Sequence, residues 1–408
     1  MGEKVTIRPA TVDDLEVIAH LKVLGFGGSE AIRRADLENN PRYNYRHVIM
    51  AEIEGKPVGT AMAFPTQMWI SGVPLQMGAV GAVTTHPDFR RRGIGFMMMQ
   101  RLLESMAQEG MALSALFPMV YNLYQQCGYA PAAVWHAYSI KPDNAPVFDG
   151  RQKVRPFMRE DLAAIRSIYR GVELSQADGR LSRSNTWSDK LAIEDARPGN
   201  IYPVVYDGEA GVEGYLKYSI NEDKVLKVIE MFVSGSAAYR GLWGYMANQP
   251  DITRIEYLAP ADEPILHLLK KPKDSYGGNR GWVFDDIYHV TTSFMIRVID
   301  VVEALTSRFY PSSMMGNRIL KIHDPQLPKN EQLINFRIVD GRPDTIPVNG
   351  HSPQLETDIA TFSQIICGFL SPEVAHRLGR LQADDDTVTW LSKAMAAKPL
   401  FIHKGDWF

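Results

Sequence analysis

A segment near the start of the chain is repeated 147 positions later, so that Arg8 corresponds to Arg155. In both copies, residues 7–18 and residues 154–165, a short β-like run ends at Arg-Pro, and an acidic pair then opens a helix with apolar residues at helical spacing. Proline cannot extend the strand, and carboxylates favour a helix N-terminus. The chain is therefore predicted to contain two similar domains in succession.

Length and composition limit the number of domains and the class of protein. A chain of 408 residues with 45% hydrophobic and 22% charged residues is typical of a globular protein with two to four domains. A formal net charge of -3 gives no general attraction to nucleic acid. No secretory signal and no long apolar run are found, and the two cysteines, Cys127 and Cys367, lie far apart. We expect a cytoplasmic protein without membrane or nucleic-acid partners.

Two different signals predict the domain boundaries. Residues 141–150 hold two prolines and a glycine among polar residues and are interpreted as a linker. The second boundary is placed near 290, where a predicted strand runs into an amphipathic helix at residues 298–309. We therefore expect domains at residues 1–150, 151–290 and 291–408. The first two should contain a mixed sheet with helices, and the third should be α+β, so the predicted class is α/β (α+β).

A basic, glycine-containing loop carries the clearest chemical signal. It follows an apolar strand and precedes a helix, and its residues are Arg90, Arg91, Arg92, Gly93, Ile94 and Gly95. Glycine lets backbone N–H groups approach a pyrophosphate, the helix dipole favours the anion, and arginine donates charge-assisted hydrogen bonds. The spacing differs from the dinucleotide-binding fingerprint, which starts with glycine. The alternative is a solvated basic turn.

The repeat provides an internal comparison for this loop. If Arg90 corresponds to Arg240, then Gly93 corresponds to Trp243 and Gly95 to Tyr245. Bulky rings would then fill the phosphate-binding turn. Only the first domain is expected to bind the cofactor.

These motifs resemble the GNAT superfamily of acetyltransferases and, more closely, the enhanced intracellular survival (Eis) acetyltransferases. The resemblance covers the whole chain and implies a catalytic GNAT domain, a degenerate GNAT domain with a Leu-Trp pair, and a third domain similar to sterol carrier protein. It implies transfer of acetyl from acetyl-CoA to primary amines, notably those of aminoglycosides, by direct attack in a ternary complex. It also implies a hexamer.

The resemblance further implies roles for individual residues. Tyr124 precedes Cys127-Gly128-Tyr129, where the family has Phe-Gly-Tyr, and takes the role of general acid. The terminal carboxylate of Phe408 takes the role of general base, with Trp407 docked beside it. The strand residues Val83, Thr84 and Thr85 would bind the cofactor. Phe26, Glu30 and Trp407 are weaker candidates for substrate binding. Glu30, like Asp36 and Glu38, is more typical of a solvated surface acid than of a ligand. The chemistry requires no metal.

Two alternatives remain open from the sequence. The acceptor could be a protein lysine or an N-terminal amine instead of an aminoglycoside or similar polyamine. The chain could also be a non-catalytic sensor that binds CoA in its first domain and a lipid in its third. The retained arginine loop and Tyr124 argue against the sensor.

Overall fold

The structure is a computed structural model that describes residues 4–40, 42–176, 179–184, 201–272, 275–278, 281–284 and 287–408. These residues form two compact units. The first unit contains residues 1–133, residues 293–400 and Phe408, and the second contains residues 134–292 and 401–407.

The first unit contains a seven-stranded mixed sheet in the order β1-β2-β3-β4-β5-β16-β6. Its strands are β1 (Val5–Pro9), β2 (Val48–Ile53), β3 (Lys56–Ile70), β4 (Val73–Thr85), β5 (Leu113–Leu116), β6 (Ala130–Pro131) and β16 (Met295–Val298). Its helices are α1 (Leu15–Phe26), α2 (Glu30–Glu38), α3 (Ile94–Gln108) and α4 (Tyr121–Gln126). Met98, Leu102 and Met106 recur at helical spacing on α3 and pack into the core.

A five-stranded mixed sheet in the order β19-β18-β17-β20-β21 lies in the same unit. Its strands are β17 (Gly316–His323), β18 (Ile334–Val339), β19 (Arg342–Pro347), β20 (Leu355–Asp358) and β21 (Leu381–Ala383). The accompanying helices are α7 (Val301–Thr306), α8 (Ile359–Ile366), α9 (Pro372–Arg377) and α10 (Asp385–Ala394).

The second unit contains a seven-stranded mixed sheet in the order β15-β7-β12-β11-β10-β9-β8. Its strands are β7 (Val134–Ile140), β8 (Val154–Pro156), β9 (Ile201–Gly208), β10 (Gly211–Ile220), β11 (Val225–Val233), β12 (Arg254–Ala259) and β15 (Tyr288–Thr292). Its helices are α5 (Leu162–Gln176) and α6 (Ser236–Ala247), and a hairpin is formed by β13 (Ser275–Gly278) and β14 (Gly281–Phe284). Three large mixed sheets with helices confirm the α/β (α+β) class.

The chain crosses between sheets close to the expected linkers. Strand β7 pairs with β12 and β15 of the second sheet, although it precedes position 150. Strand β16 returns to the first sheet and pairs with β5 and β6. The boundaries near 150 and 290 stay predictions. Within the described part of the chain, no helix is long and apolar enough to cross a membrane.

The sequence repeat is visible in atomic detail. Arg8 donates two hydrogen bonds of 2.8 Å to the Asp14 carboxylate, and Arg155 makes the same pair to Asp161 at 2.8 and 2.9 Å. In each copy the aspartate also accepts a backbone N–H three residues upstream, from Thr11 or Met158. These charge-assisted bonds fix the start of α1 and of α5. The prediction of two similar domains is confirmed at this element.

The expected correspondence of Arg240, Trp243 and Tyr245 with the arginine loop is wrong. Residues 236–247 form helix α6, and Trp243 lies buried inside it. Only two residues separate β11 from α6, whereas eight separate β4 from α3. The second sheet lacks the arginine loop because its connection is short, and not because aromatic rings replace glycine.

A buried ion cluster holds the chain's tail in the second unit. The Arg183 guanidinium lies 2.6 Å from Glu230 and 2.7 Å from Asp406, and all three side chains are at most 3% exposed. Tyr169 donates to Asp406 as well. Because removing one member would leave a buried charge uncompensated, this cluster fixes the position of Asp406, two residues before the chain end.

Glu263 should make the stability of the second unit depend on pH. Burial raises the pKa of this carboxyl from 4.5 to about 7, and this effect outweighs the hydrogen bond that Tyr239 donates at 2.5 Å, which lowers the pKa. Between these pH values the unfolded chain loses the proton while the folded chain keeps it, so stability falls as pH rises, by up to roughly 3 kcal/mol. We expect Glu263→Gln to raise the thermal midpoint at pH 8 and to leave it nearly unchanged at pH 4.5. An equal pH dependence in both proteins would contradict this.

Candidate active site

A cleft opens in the first unit where two parallel strands separate. Strands β4 and β5 are paired from Met77 with Leu113 to Val80 with Leu116. Beyond this point β4 continues to Thr85, whereas β5 ends at Leu116 and the segment that follows it leads through Phe117 to α4. The resulting cleft of about 850 Å³ is lined by residues 80–85, by the arginine loop and by residues of α4. Separation of paired strands leaves backbone groups of β4 free to bind a ligand.

A β-bulge lies in the part of β4 that faces this cleft. Thr84 pairs with Thr60 and Gly81 pairs with Met62, so Ala82 and Val83 lie opposite one residue of β3. Ala82 has a φ of 51°, which is unusual for a residue with a side chain. Bulges of this kind occur next to active sites because they redirect backbone groups. The predicted cofactor residues Val83, Thr84 and Thr85 all line the cleft.

The arginine loop places the start of α3 at the cleft. Gly93 has a φ of 77° at the N-cap of α3 and, as a glycine, has no side chain with which to cap this helix end. The first-turn N–H groups of a 15-residue helix are thus available to an anion. Arg90, Arg91, Gly93, Ile94 and Gly95 line the cleft.

The residues present fit a phosphate-containing cofactor such as acetyl-CoA. The buried Thr84 hydroxyl lines the cleft and has no hydrogen-bond partner among the described residues. Arg90 donates through Nε to the Thr85 carbonyl at 3.2 Å, which anchors the loop to the strand. Arg92 is not among the lining residues, and its guanidinium lies 5.1 Å from the centre of the Phe89 ring.

Tyr124 lies on α4 at the wall of the cleft. Its side chain is 7% exposed, and its ring packs edge-on against Tyr129 at 6.2 Å. Burial raises the pKa of the Tyr124 phenol to about 12, and neighbouring Cys127 adds to the shift. The phenol therefore keeps its proton at neutral pH and is in the state that a general acid requires.

Cys127 is not placed as a nucleophile. It is fully buried, and this burial raises the pKa of the thiol to about 11. Reactive cysteines need a depressed pKa and access to solvent. The geometry thus agrees with a reaction that does not pass through an acyl-cysteine.

The chain terminus lies in the cleft. The Phe408 carboxyl carbon is 3.2 Å from the point that a Cβ on Gly81 would occupy, and its ring lies 5.2 Å from that of Phe117. A side chain at position 81 would press on the terminal carboxylate. The structure brings Phe408, Tyr124 and the arginine loop to one cleft.

The weaker substrate candidates are placed differently. Phe26 lines the cleft, but Glu30 does not; its carboxylate lies 2.7 Å from Nδ1 of His20 on the helix surface. Asp36 and Glu38 pair with Arg33 and Arg34. Trp407 lies in the second unit, stacked on Trp135 at 5.0 Å.

Sequence reasoning missed Gly81 and the apolar walls. Gly81 could have been found as a glycine inside a strand, which often marks a close backbone approach. The walls carry no such signal. They are formed by Phe89, Phe96, Phe117, Met119, Val120 and Leu123.

Family comparisons cover nearly the whole chain. Residues 6–132 match an acetyltransferase (GNAT) domain, residues 179–298 match a second acetyltransferase (GNAT) domain, and residues 301–402 match a sterol carrier protein domain. The first match contains the arginine loop, Tyr124 and the other lining residues of the cleft except Phe408.

Similar proteins and solved structures match most or all of the chain. An uncharacterized N-acetyltransferase from Streptomyces avermitilis is 23% identical over 350 residues, which is 79% of each chain. A GCN5-related N-acetyltransferase from Anabaena variabilis has a similar fold, with a TM-score of 0.84, 17% identity and coverage of 99% and 100% of the two chains. Eis1 from Mycobacterium abscessus has a TM-score of 0.76 and 20% identity at the same coverage.

Proposed function

Since this chain belongs to the GNAT N-acetyltransferases, with the Eis-like order of two GNAT domains and a sterol carrier protein domain, we propose that it acetylates primary amines by direct transfer from acetyl-CoA in a ternary complex. GNAT domains imply the use of acetyl-CoA. The acceptor and the roles of individual residues are part of the proposal.

One observation carries the proposal: the terminal carboxylate lies in the same cleft as the arginine loop and Tyr124. The loop and the start of α3 hold the pyrophosphate, and the bulged strand β4 offers backbone groups to the pantetheine amides. The Phe408 carboxylate takes a proton from the incoming ammonium. The neutral amine attacks the thioester carbonyl, the C–S bond breaks, and Tyr124 protonates the departing thiolate. The nitrogen then gives up its second proton, which returns the Tyr124 phenolate to the phenol and leaves a neutral amide.

The lining of the cleft bears on the acceptor. Among the described lining residues, the Phe408 carboxylate is the single negative group, and aromatic side chains form much of the wall. A polycation such as an aminoglycoside would find one carboxylate there, whereas an amine with an apolar body would bury its carbon skeleton against the rings. Aminoglycosides remain the first class proposed, and an apolar amine is the second because of these walls.

An amine panel tests the function. Purified protein is given acetyl-CoA with an aminoglycoside, a linear polyamine, phenethylamine and a lysine-containing peptide; free thiol is measured, and products are identified by mass. We expect thiol release with at least one small amine. The mass of the product then rises by one acetyl group for each amine that is modified. The control replaces each amine with its N,N-dimethyl analogue, whose nitrogen carries no proton after it has attacked the thioester and so cannot form a stable amide.

Other outcomes select the alternatives. Acetylation of the peptide alone would favour a protein acetyltransferase, and acetyl-CoA binding without thiol release would support the sensor. The hexameric assembly and the cytoplasmic location remain proposals, the first from the resemblance and the second from the cysteine usage.

A further inference from the structure

The short helix that carries Tyr124 needs outside support. Helix α4 has six residues, too few to be stable alone, and its last carbonyl groups lack partners within the helix. Gly128 ends it with a φ of 81°, and the Tyr129 N–H bonds back to the Tyr124 carbonyl at 3.0 Å. Gly128 thus ends the helix in the left-handed conformation. The Cys127 carbonyl then needs a hydrogen-bond donor from outside the helix.

Arg297 supplies that donor. This arginine lies on β16 and is completely buried, and its Nε donates to the Cys127 carbonyl at 2.7 Å. Its Nη1 donates to the Val298 carbonyl at 2.9 Å. A buried guanidinium at a helix C-terminus is a strong partner, because its positive charge also favours the negative end of the helix.

Residues that follow β17 hold Arg297 in place. Asp324, also completely buried, pairs with Nη2 of Arg297 and accepts from Asn330 at 2.7 Å. Asn330 bonds in turn to the Ile299 carbonyl at 3.0 Å. Gln326, two residues beyond Asp324, donates to the Gln126 carbonyl at 3.4 Å. The region matched to a sterol carrier protein domain thus contacts the catalytic helix.

The junction is tight. A Cβ added to Gly128 would lie 2.8 Å from Cγ2 of Ile359 and 3.0 Å from Nε of Arg297. Neither the helix end nor the guanidinium can shift freely. Displacement of this end would therefore move the Tyr124 phenol relative to the cleft.

We propose that Arg297, held by Asp324, is a positioning residue for acetyl transfer: it fixes the C-terminal end of α4 and thereby the place of the Tyr124 hydroxyl. This inference rests on the proposed function, since it assumes that Tyr124 donates the proton. The third domain thus helps to orient the catalytic acid, in addition to leading to the chain terminus.

The test compares Arg297→Lys with Arg308→Lys. Arg308 is a matched control, because it is also buried in the first unit and donates to a backbone carbonyl, that of Ile366 at 3.0 Å, away from α4. We expect Arg297→Lys to lower kcat by about tenfold or more, since small misplacements of a catalytic group are costly. The Kd for acetyl-CoA should change little in either variant.

A double-mutant cycle separates positioning from general stability. If Arg297 acts through Tyr124, then Tyr124→Phe should reduce kcat much less in the Arg297→Lys background than in the wild type. Losses that multiply independently would overturn the proposal, as would a kcat for Arg297→Lys equal to that of Arg308→Lys. If Arg297→Lys does not fold, Gln326→Ala takes its place, with a loss of about threefold expected and an unchanged kcat counting against the proposal.

Hydrogen exchange gives a readout that needs no turnover. Amides of residues 121–129 should exchange faster in Arg297→Lys than in the wild type, while those of α3 should not change. Equal exchange rates of residues 121–129 in the two proteins would overturn the proposal that Arg297 fixes the end of α4. If the wild type released no thiol with any amine, the proposed function would fail. The exchange data would still show whether Arg297 fixes the end of α4.

Discussion

Replacing Tyr124 with phenylalanine is expected to lower kcat by about a hundredfold, in the range that general acid catalysis contributes. The substitution removes only the hydroxyl, and the ring contact with Tyr129 at 6.2 Å is retained. Because burial raises the pKa of the phenol to about 12, the wild-type group is protonated throughout the usual assay range. Loss of its proton should therefore cause no alkaline decline in kcat below about pH 10.

The measurement is steady-state release of CoA thiol, with the Kd for acetyl-CoA determined separately. Tyr121→Phe serves as the control, since Tyr121 lies on the same helix, is 38% exposed and is not among the residues that line the cleft. We expect this control to keep nearly full activity. A Tyr124→Phe protein with wild-type kcat would show that water or another group protonates the thiolate.

Local patterns in the sequence predicted much of this site. The strand, the arginine-glycine turn and the helix α3 are encoded within residues 73–108, and Tyr124 follows shortly afterwards. Such elements depend on secondary-structure propensity, on the conformations that glycine allows and on the spacing of apolar residues. All three can be recognised in a short stretch of sequence. The repeat was equally readable, because the same Arg-Asp pairing starts α1 and α5.

Contacts between distant segments were not predictable in this way. Nothing in the sequence places β16 between β5 and β6, or Arg297 against the Cys127 carbonyl 170 positions away. The β4 bulge likewise depends on the register with β3. Pairing of remote strands is decided by the total fit of the core, so a local pattern cannot select one partner.

The mistaken equivalence of Arg90 and Arg240 has the same origin. Matching Arg-x-x-Gly-like spacings assumed a loop of equal length in both copies, but the second copy begins its helix at Ser236. A loop can lose residues while the strand and helix beside it keep their packing, because loops tolerate deletions. The second sheet lacks the arginine loop because the connection from β11 to α6 is short. The expectation that only the first domain binds the cofactor stays a prediction.

Adding a single glycine after Phe408 is expected to lower kcat by about a hundredfold, because the terminal carboxylate would no longer lie beside Gly81. The wild-type carboxyl carbon is 3.2 Å from the position of a Cβ on Gly81, and one more residue moves the charge by up to about 3.5 Å. An amide would then occupy the place of the proposed base. The Phe408 ring can still pack against Phe117.

This extension is a more specific test than deletion of the C-terminal residues, because it leaves the contacts of residues 406–408 in place. Asp406 keeps its ion pairs with Arg183, and Trp407 keeps its stacking on Trp135. Tryptophan fluorescence should therefore match that of the wild type, which would show that the tail is still seated. The control is Phe408→Leu, which preserves the terminal carboxylate and loses only ring contacts.

The two variants should differ in kind. Phe408→Leu changes packing and should reduce kcat by about tenfold at most, whereas the extended chain removes the base and should lose far more. Addition of acetate or formate to the extended protein should restore part of the rate, because a free carboxylate can enter the cleft and accept the proton. Full activity in the extended protein would mean that the amine is deprotonated by another group or by water, and that the chain end serves only to close the cleft.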